Sequence, residues 1–498
     1  VVAPEGGCYD CDTRALESFD VALRDLRAFV KLLESRGELR RVRAPVDPKL
    51  EITEIADRVM KSPGGGPALL FEHVRGHTAP VLINAFGSQQ RMAWALGVEN
   101  LEEHAERIRH LLKPEVPESL FGKLRALGDL KQLASAAPKL VARGPCQEVV
   151  EPEPSLERLP VLTCWPEDGG PYITLGLTIT RDPRDGKRNV GLYRLQVYGP
   201  REAGMHWQLH KGGAEHERRA TGRLEVAVAI GPDPAVTYAA SAPLPPGVDE
   251  LLFAGFLRGE PVELVKCRTV DLEVPASSEY VIEGYVDPAE RRLEGPFGDH
   301  TGFYSLADLY PVLHVTAITH RRDPIYQTTI VGRPPMEDYY LGKATERLFL
   351  PLIQMVVPEI LDMNMPAEGV FHNLVLVKIR KRYPGQPHKV MYALWGMGQM
   401  MFARNIIVLD EDVDIHNLSE VAWRVTGNVD AGRDLVLAPG PVDVLDHAAP
   451  RFAFGTRLGI DATRKGPLDG YSREWPNDIV MSDDVKRLVD QRWAEYGL

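Results

Sequence analysis

Four stretches between residues 173 and 319 most constrain the fold: 173–180, 224–230, 280–286 and 313–319. Each reads as a short β-strand, rich in β-branched residues and bounded by Gly/Pro turns. Repeated short strands of this kind predict a β-rich, barrel-like middle domain. The flanks follow a different rhythm. Leu23, Leu26, Val30 and Leu33 recur at helical spacing and predict a helix over 17–36, stopped by Gly37 and followed by a strand at 38–42. A Pro/Gly loop at 62–67 precedes a strand at 68–71. Asn100 and Glu103 have the spacing of a capping box, for a helix that Pro114 ends. Prolines punctuate a connector over 114–160. After Gly332-Arg-Pro-Pro335 the pattern predicts a helix at 341–356, strands at 373–380 and 405–410, and a helix at 418–426. Val485, Leu488, Val489 and Trp493 mark an amphipathic C-terminal helix.

This is an α/β (α+β) chain in three parts, expected over 1–115, 116–330 and 331–498. Its 498 residues fit about three domains at roughly 150 residues each. With 44% hydrophobic and 26% charged residues, disordered, collagen-like and coiled-coil classes are excluded. A net charge of −12 argues against a nucleic-acid partner. No run reaches the ~18 apolar residues of a membrane span, and 1–5 lack the character of a signal peptide. The five cysteines, Cys8, Cys11, Cys146, Cys164 and Cys267, are too sparse for a disulfide framework and predict a cytoplasmic location. Cys8 and Cys11 form a lone CxxC without the second pair of a zinc site.

Familiar motifs are mostly absent. The sequence has no phosphate loop, dinucleotide fingerprint or nucleophile elbow. His206 and His210 are four apart, but Trp207 stands where a zincin needs Glu; a metal-dependent hydrolase using this pair is the alternative enzyme reading. The acids of 410–414 lack the EF-hand glycine and read as a solvated strand end. The basic run 378–382 reads as a charged edge strand.

Polar residues concentrate between 189 and 300. Taken singly, Asn189 reads as a turn residue, His210 as an interior histidine, Glu250 as a helix-cap neighbour and Arg194 as an ion-pair partner. Together, Asn189-x4-Arg194 and Glu294-x4-Asp299, with 25–30, 274–277, 332–335 and 459–463, resemble the UbiD family of carboxy-lyases. Within that family the chain is most similar to the 3-polyprenyl-4-hydroxybenzoate decarboxylase branch. The resemblance implies an N-terminal α/β domain, a central split β-barrel of flavin-reductase type, and a C-terminal α/β domain that mediates homo-oligomer assembly. It also implies reversible, non-oxidative decarboxylation of an aromatic or α,β-unsaturated acid with prenylated FMN. A separate flavin prenyltransferase would supply the cofactor, and membrane contact would be peripheral at most.

Residue by residue, the resemblance makes Asn189, His210 and Glu250 ligands of a divalent metal, usually manganese, with potassium a possible companion. Leu192, Tyr193, Arg194, His206, Trp207, Gln208, Lys211 and Gly212 fall at flavin-contacting positions, with Arg457 a further basic match. Arg194, Glu294 and Asp299 form the catalytic network. Asp299 is expected to stay protonated near neutral pH and to donate the proton, with Glu294 coupled to Arg194. The non-catalytic alternative is a flavin-binding protein.

Overall fold

The computed structural model describes residues 23–112, 135–208, 211–245 and 247–497. The first helix is Leu26–Ser35, shorter than the apolar spacing predicts. Asp25 sets its start by accepting a hydrogen bond from the Ala28 N–H at 2.8 Å, and residues 17–22 lie outside the described residues. Its buried face, Leu26, Phe29, Val30 and Leu33, packs near a four-stranded sheet. That sheet runs Leu39–Val42, Ala68–Phe71, Val81–Ile83 and then Tyr326–Gln327, so a strand far along the chain completes it. The capping box forms as predicted. Asn100 Oδ1 accepts from the Glu102 N–H at 3.0 Å, and Glu103 accepts from the Asn100 N–H at 2.9 Å, ahead of the helix Leu101–Leu112. Pro114, Cys8 and Cys11 lie outside the described residues.

The central sheet has nine strands, eight in one hydrogen-bonded path and Val149–Val150 added to the strand Asp308–His320. The 224–230 reading matches a strand with those bounds, and the next two readings are parts of longer strands, Tyr280–Glu294 and Asp308–His320. The reading at 173–180 needs correction. It is two strands, Tyr172–Ile173 and Leu177–Arg181, separated at Gly176, where a Cβ would lie 2.7 Å from Val228. The first is at one end of the path and the second is next to the last strand at the other end. Six strand spacings would separate them by roughly 29 Å in a flat sheet. The intervening residues can span only about 14 Å. The sheet must therefore curl into a half-barrel, as it does.

The C-terminal sheet has five strands in the order Ile360–Asn364, Leu374–Ile379, Asn405–Asp410, Phe454–Asp461 and Leu435–Pro441. The edge-strand reading of 378–382 is thereby overturned. Leu374–Ile379 lies inside the sheet with Val375, Leu376, Val377 and Ile379 buried. The basic residues collect where it ends: Arg380 pairs with Glu411 at 2.6 Å and Lys381 with Asp469 at 2.9 Å. The acids of 410–414 are used locally, Asp410 by the Arg464 N–H and Asp414 by the His416 N–H. The long helix is Glu337–Val356, beginning ahead of the apolar pattern because Glu337 and Asp338 occupy its first turn. Leu418–Asn428 extends the predicted 418–426 helix. The terminal helix Asp483–Arg492 buries none of its residues against this chain. Among the described residues no helix is long and apolar enough to cross a membrane.

Buried carboxylates tie the parts together. Glu337 accepts from the Phe86 N–H at 2.8 Å and the Thr329 hydroxyl at 2.6 Å. Glu279, fully buried, accepts from Arg27 at 2.9 and 3.0 Å and from the Ile325 N–H at 3.0 Å, joining the first helix to the central sheet. Removing one partner of such a pair strands the other's charge. Glu279→Ala is therefore expected to cost about 3 kcal/mol. Scanning calorimetry should show a lower melting temperature than for the surface control Glu54→Ala.

Candidate active site

The site grows from the ends of central strands. Arg194 lies between Arg188–Leu192 and Leu195–Gly199; His206 follows Glu202–Met205; Glu294 closes the long strand Tyr280–Glu294. Asp299 follows Phe297–Gly298, which pairs with Tyr304–Ser305 in a two-stranded ribbon. Asp168 clamps that ribbon, accepting from the Gly298 N–H at 2.8 Å and from the Trp165 N–H at 2.8 Å. Gly298 needs to lack a side chain, because a Cβ there would lie 2.1 Å from the Trp165 ring.

Curling brings these ends together around one buried guanidinium. Arg194 donates to both oxygens of Glu294, at 2.8 and 3.1 Å, to the Ser305 hydroxyl at 3.0 Å, and to Asp299. Its cation lies 4.6 Å from the Phe297 ring centroid. His206 Nδ1 is 3.0 Å from Glu294 Oε2, and its ring stacks on Tyr310 at 4.1 Å. Asp299 also accepts from the His300 backbone N–H at 2.7 Å and faces His300 Nδ1 at 2.9 Å.

The electrostatics correct one expectation. Burial pushes Glu294 and Asp299 towards their neutral forms, but their partners prevail. His206 and Arg194 hold Glu294 well below the usual carboxylate range; Arg194 and His300 do the same for Asp299. Asp299 therefore rests ionised rather than protonated. The sequence argument counted the second carboxylate beside it, but the cation between the two decides the balance. Burial, followed by the charge of Arg194, lowers His206.

A second group lines a neighbouring cavity of about 690 Å³, including Asn189, Tyr193, Lys211, Gly212 and Glu250. The Gly212 backbone abuts Asn189, so that a Cβ would lie 2.1 Å from its Oδ1. Asn189 Nδ2 is buried without a hydrogen-bond partner. Glu250 accepts from the Val190 N–H at 3.2 Å, and burial pushes it up to about 7. Burial also lowers Lys211, which the charge of Asp443 partly offsets. These oxygens suit a hard cation and the half-buried Lys211 suits an anion. Trp207 meets Tyr193 edge-on at 5.0 Å, and its Nε1 is buried without a partner. Leu192 packs between two cores and its N–H donates to the Ala240 carbonyl at 3.3 Å. The Gln208 carbonyl accepts from the Lys211 N–H at 3.0 Å.

His210 lies outside the described residues. Among those described, no three His, Cys, Asp or Glu side chains converge as a metal cage. Arg457 lies on the C-terminal strand Phe454–Asp461, with its guanidinium 5.0 Å from the Trp395 ring centroid. Sequence reasoning missed Ser305, Tyr310 and His300 as members of the network. Only His300 carried a signal, its adjacency to Asp299.

Three domain-level sequence matches span the chain, all described as 3-octaprenyl-4-hydroxybenzoate carboxy-lyase domains. They are the N-terminal domain at 30–110, the Rift-related domain at 139–334 and the C-terminal domain at 339–462. An uncharacterized protein from Aquifex aeolicus is 54% identical over 480 residues, covering 95% of this chain and 99% of that protein. Among solved structures, the closed form of vanillic acid decarboxylase from Sedimentibacter hydroxybenzoicus superposes with a TM-score of 0.81 at 30% identity, covering 95% of this chain and 98% of that one. An evolved dimeric form of the UbiD-class enzyme HmfF from Pelotomaculum thermopropionicum, in complex with prFMN, gives 0.75 at 31% identity, covering 93% and 98%. The curled sheet, the acid–arginine–acid cluster and relatives matched along nearly their whole length thus agree, and the chain belongs to the UbiD family.

Proposed function

We propose that this protein releases carbon dioxide reversibly from an aromatic or α,β-unsaturated carboxylic acid, using prenylated FMN and a divalent metal. The observation that carries the reading is Arg194, buried and shared between Glu294 and Asp299 beside a cavity with cation- and anion-binding groups. The cavity residues fit both groups. Asn189 and Glu250, with His210, would hold manganese; the half-buried Lys211 would face the cofactor phosphate, and the unpartnered Trp207 Nε1 offers a donor. When bound, prenylated FMN would supply the electron sink that makes loss of carbon dioxide possible.

The protein's own part is positioning and proton control. Arg194, its Nε and Nη2 held by Glu294, orients the substrate carboxylate from its Nη1 side, where Asp299 also binds. Drawing its charge towards that carboxylate weakens the strongest influence holding Asp299 ionised. Asp299 then takes up a proton and gives it to the carbon that carbon dioxide has left. Glu294, bonded to His206 and Arg194, keeps the guanidinium in register. The hydrolase alternative is disfavoured because His206 is committed to Glu294 and Tyr310.

Asp299→Asn and Glu294→Gln should each lower kcat about 10²–10⁴-fold in a carbon dioxide release assay over a panel of aromatic and enoic acids. Flavin absorbance and bound manganese should stay at wild-type levels; undiminished turnover in both variants would refute the acid roles. Gly212→Ala should act differently, forcing Asn189 aside and reducing both metal content and flavin occupancy. Native mass spectrometry of protein co-expressed with a flavin prenyltransferase reads both quantities directly.

A further inference from the structure

The acid–arginine–acid cluster does not end at Asp299. His300 Nε2 lies 3.0 Å from Nε2 of His372, a residue of the C-terminal part. Phe371 stacks on the other imidazole at 5.5 Å, with the planes 13° apart. The segment presenting them is unusual: Val370 and Phe371, neither of them glycine, have φ of 48° and 43° in the left-handed region. A β-branched residue reaches that region only when its surroundings impose it. Here the imposed geometry sets a ring and an imidazole against His300.

We infer that His300 and His372 act together as the proton source for Asp299. His372 Nε2 accepts the hydrogen of His300 Nε2, which keeps His300 Nδ1–H directed at Asp299 Oδ1. In the step, the His300 Nδ1–H bond breaks and an Asp299 O–H bond forms. The electron pair of the broken bond stays on Nδ1, leaving His300 neutral. Water returns a proton to it before the next turnover. His372 is a positioning residue in this scheme, and the inference rests on the decarboxylase reading above.

The surrounding charges support the arrangement. Burial opposes a charge on His300, but the bond and charge of Asp299, with Asp338 and Asp443, raise it to about 9. Burial, then the neighbouring His300, lowers His372 to about 4, so it is the acceptor of the pair; Asp443 and Asp446 pull weakly the other way. Asp338, in the first turn of Glu337–Val356, is itself raised to about 6 by burial. A group raised in this way is charged below its pKa, so proton delivery should persist up to about pH 9 and fail above it.

The test uses the holoenzyme with ¹³C-labelled histidine, in wild type, His372→Phe and His372→Gln. The His300 resonance is assigned by its loss in His300→Asn. We expect it to titrate near 9 in wild type and to fall by roughly one pH unit in His372→Phe, which leaves the Nε2–H without an acceptor. The alkaline limb of kcat, measured with the acid best turned over in the panel above, should move with it while KM holds. His372→Gln, which keeps an acceptor, should restore both. A kcat limb or a resonance that stays in place in His372→Phe overturns the inference while leaving the decarboxylase reading intact. No carbon dioxide from wild-type holoenzyme with any acid overturns that reading, and the delivery step with it.

Discussion

A guanidinium buried between two carboxylates is the interaction on which this architecture turns. Arg194 stays charged away from water because Glu294 and Asp299 flank it, and the two acids stay ionised because Arg194, helped by His206 on one side and His300 on the other, stands between them. Satisfying all three requires the end of a long strand, a two-stranded ribbon and a strand junction to meet at one point. The curl of the central sheet provides that meeting place. Asp168 and Trp165, which contribute no atom to the cluster, hold the ribbon in position from behind.

In the proposed reaction, the substrate resets the proton chemistry of the cluster. An acid held neutral by apolar burial would be ready at all times. An acid held ionised by a movable charge becomes ready only when that charge is engaged elsewhere. The second arrangement suits an enzyme in which proton delivery must follow loss of carbon dioxide, since an early proton would be wasted on an empty site.

Much of the local structure was legible in the sequence. The strands 224–230 and 405–410 and the Asn100–Glu103 capping box follow from patterns a few residues long, and they form as read. Failures came where distant segments decide. Residues 173–180 are a sound strand locally, yet the two halves serve opposite ends of a sheet whose closure no short window reveals. The basic run at 378–382 suggests an edge because its charges crowd together, whereas the sheet order places the strand inside and the charges beyond its end. At the site, the family resemblance named Arg194, Glu294 and Asp299 together, and the fold does assemble them. Their protonation was not legible, because it depends on which atoms of Arg194 face which acid. His372 carried no signal at all: it is a lone histidine far from the polar cluster it approaches.

The pairing of Arg27 with Glu279 has a consequence for how the chain is made. The two residues lie 252 positions apart, and the strand Tyr326–Gln327 that completes the N-terminal sheet emerges later still. On a ribosome adding roughly 5–20 residues per second, the first helix waits roughly 10–50 s for its carboxylate. The N-terminal part therefore cannot finish as an independent unit before the central sheet exists. The first helix is therefore locked only after most of the central sheet has been made, although the C-terminal sheet is still to come.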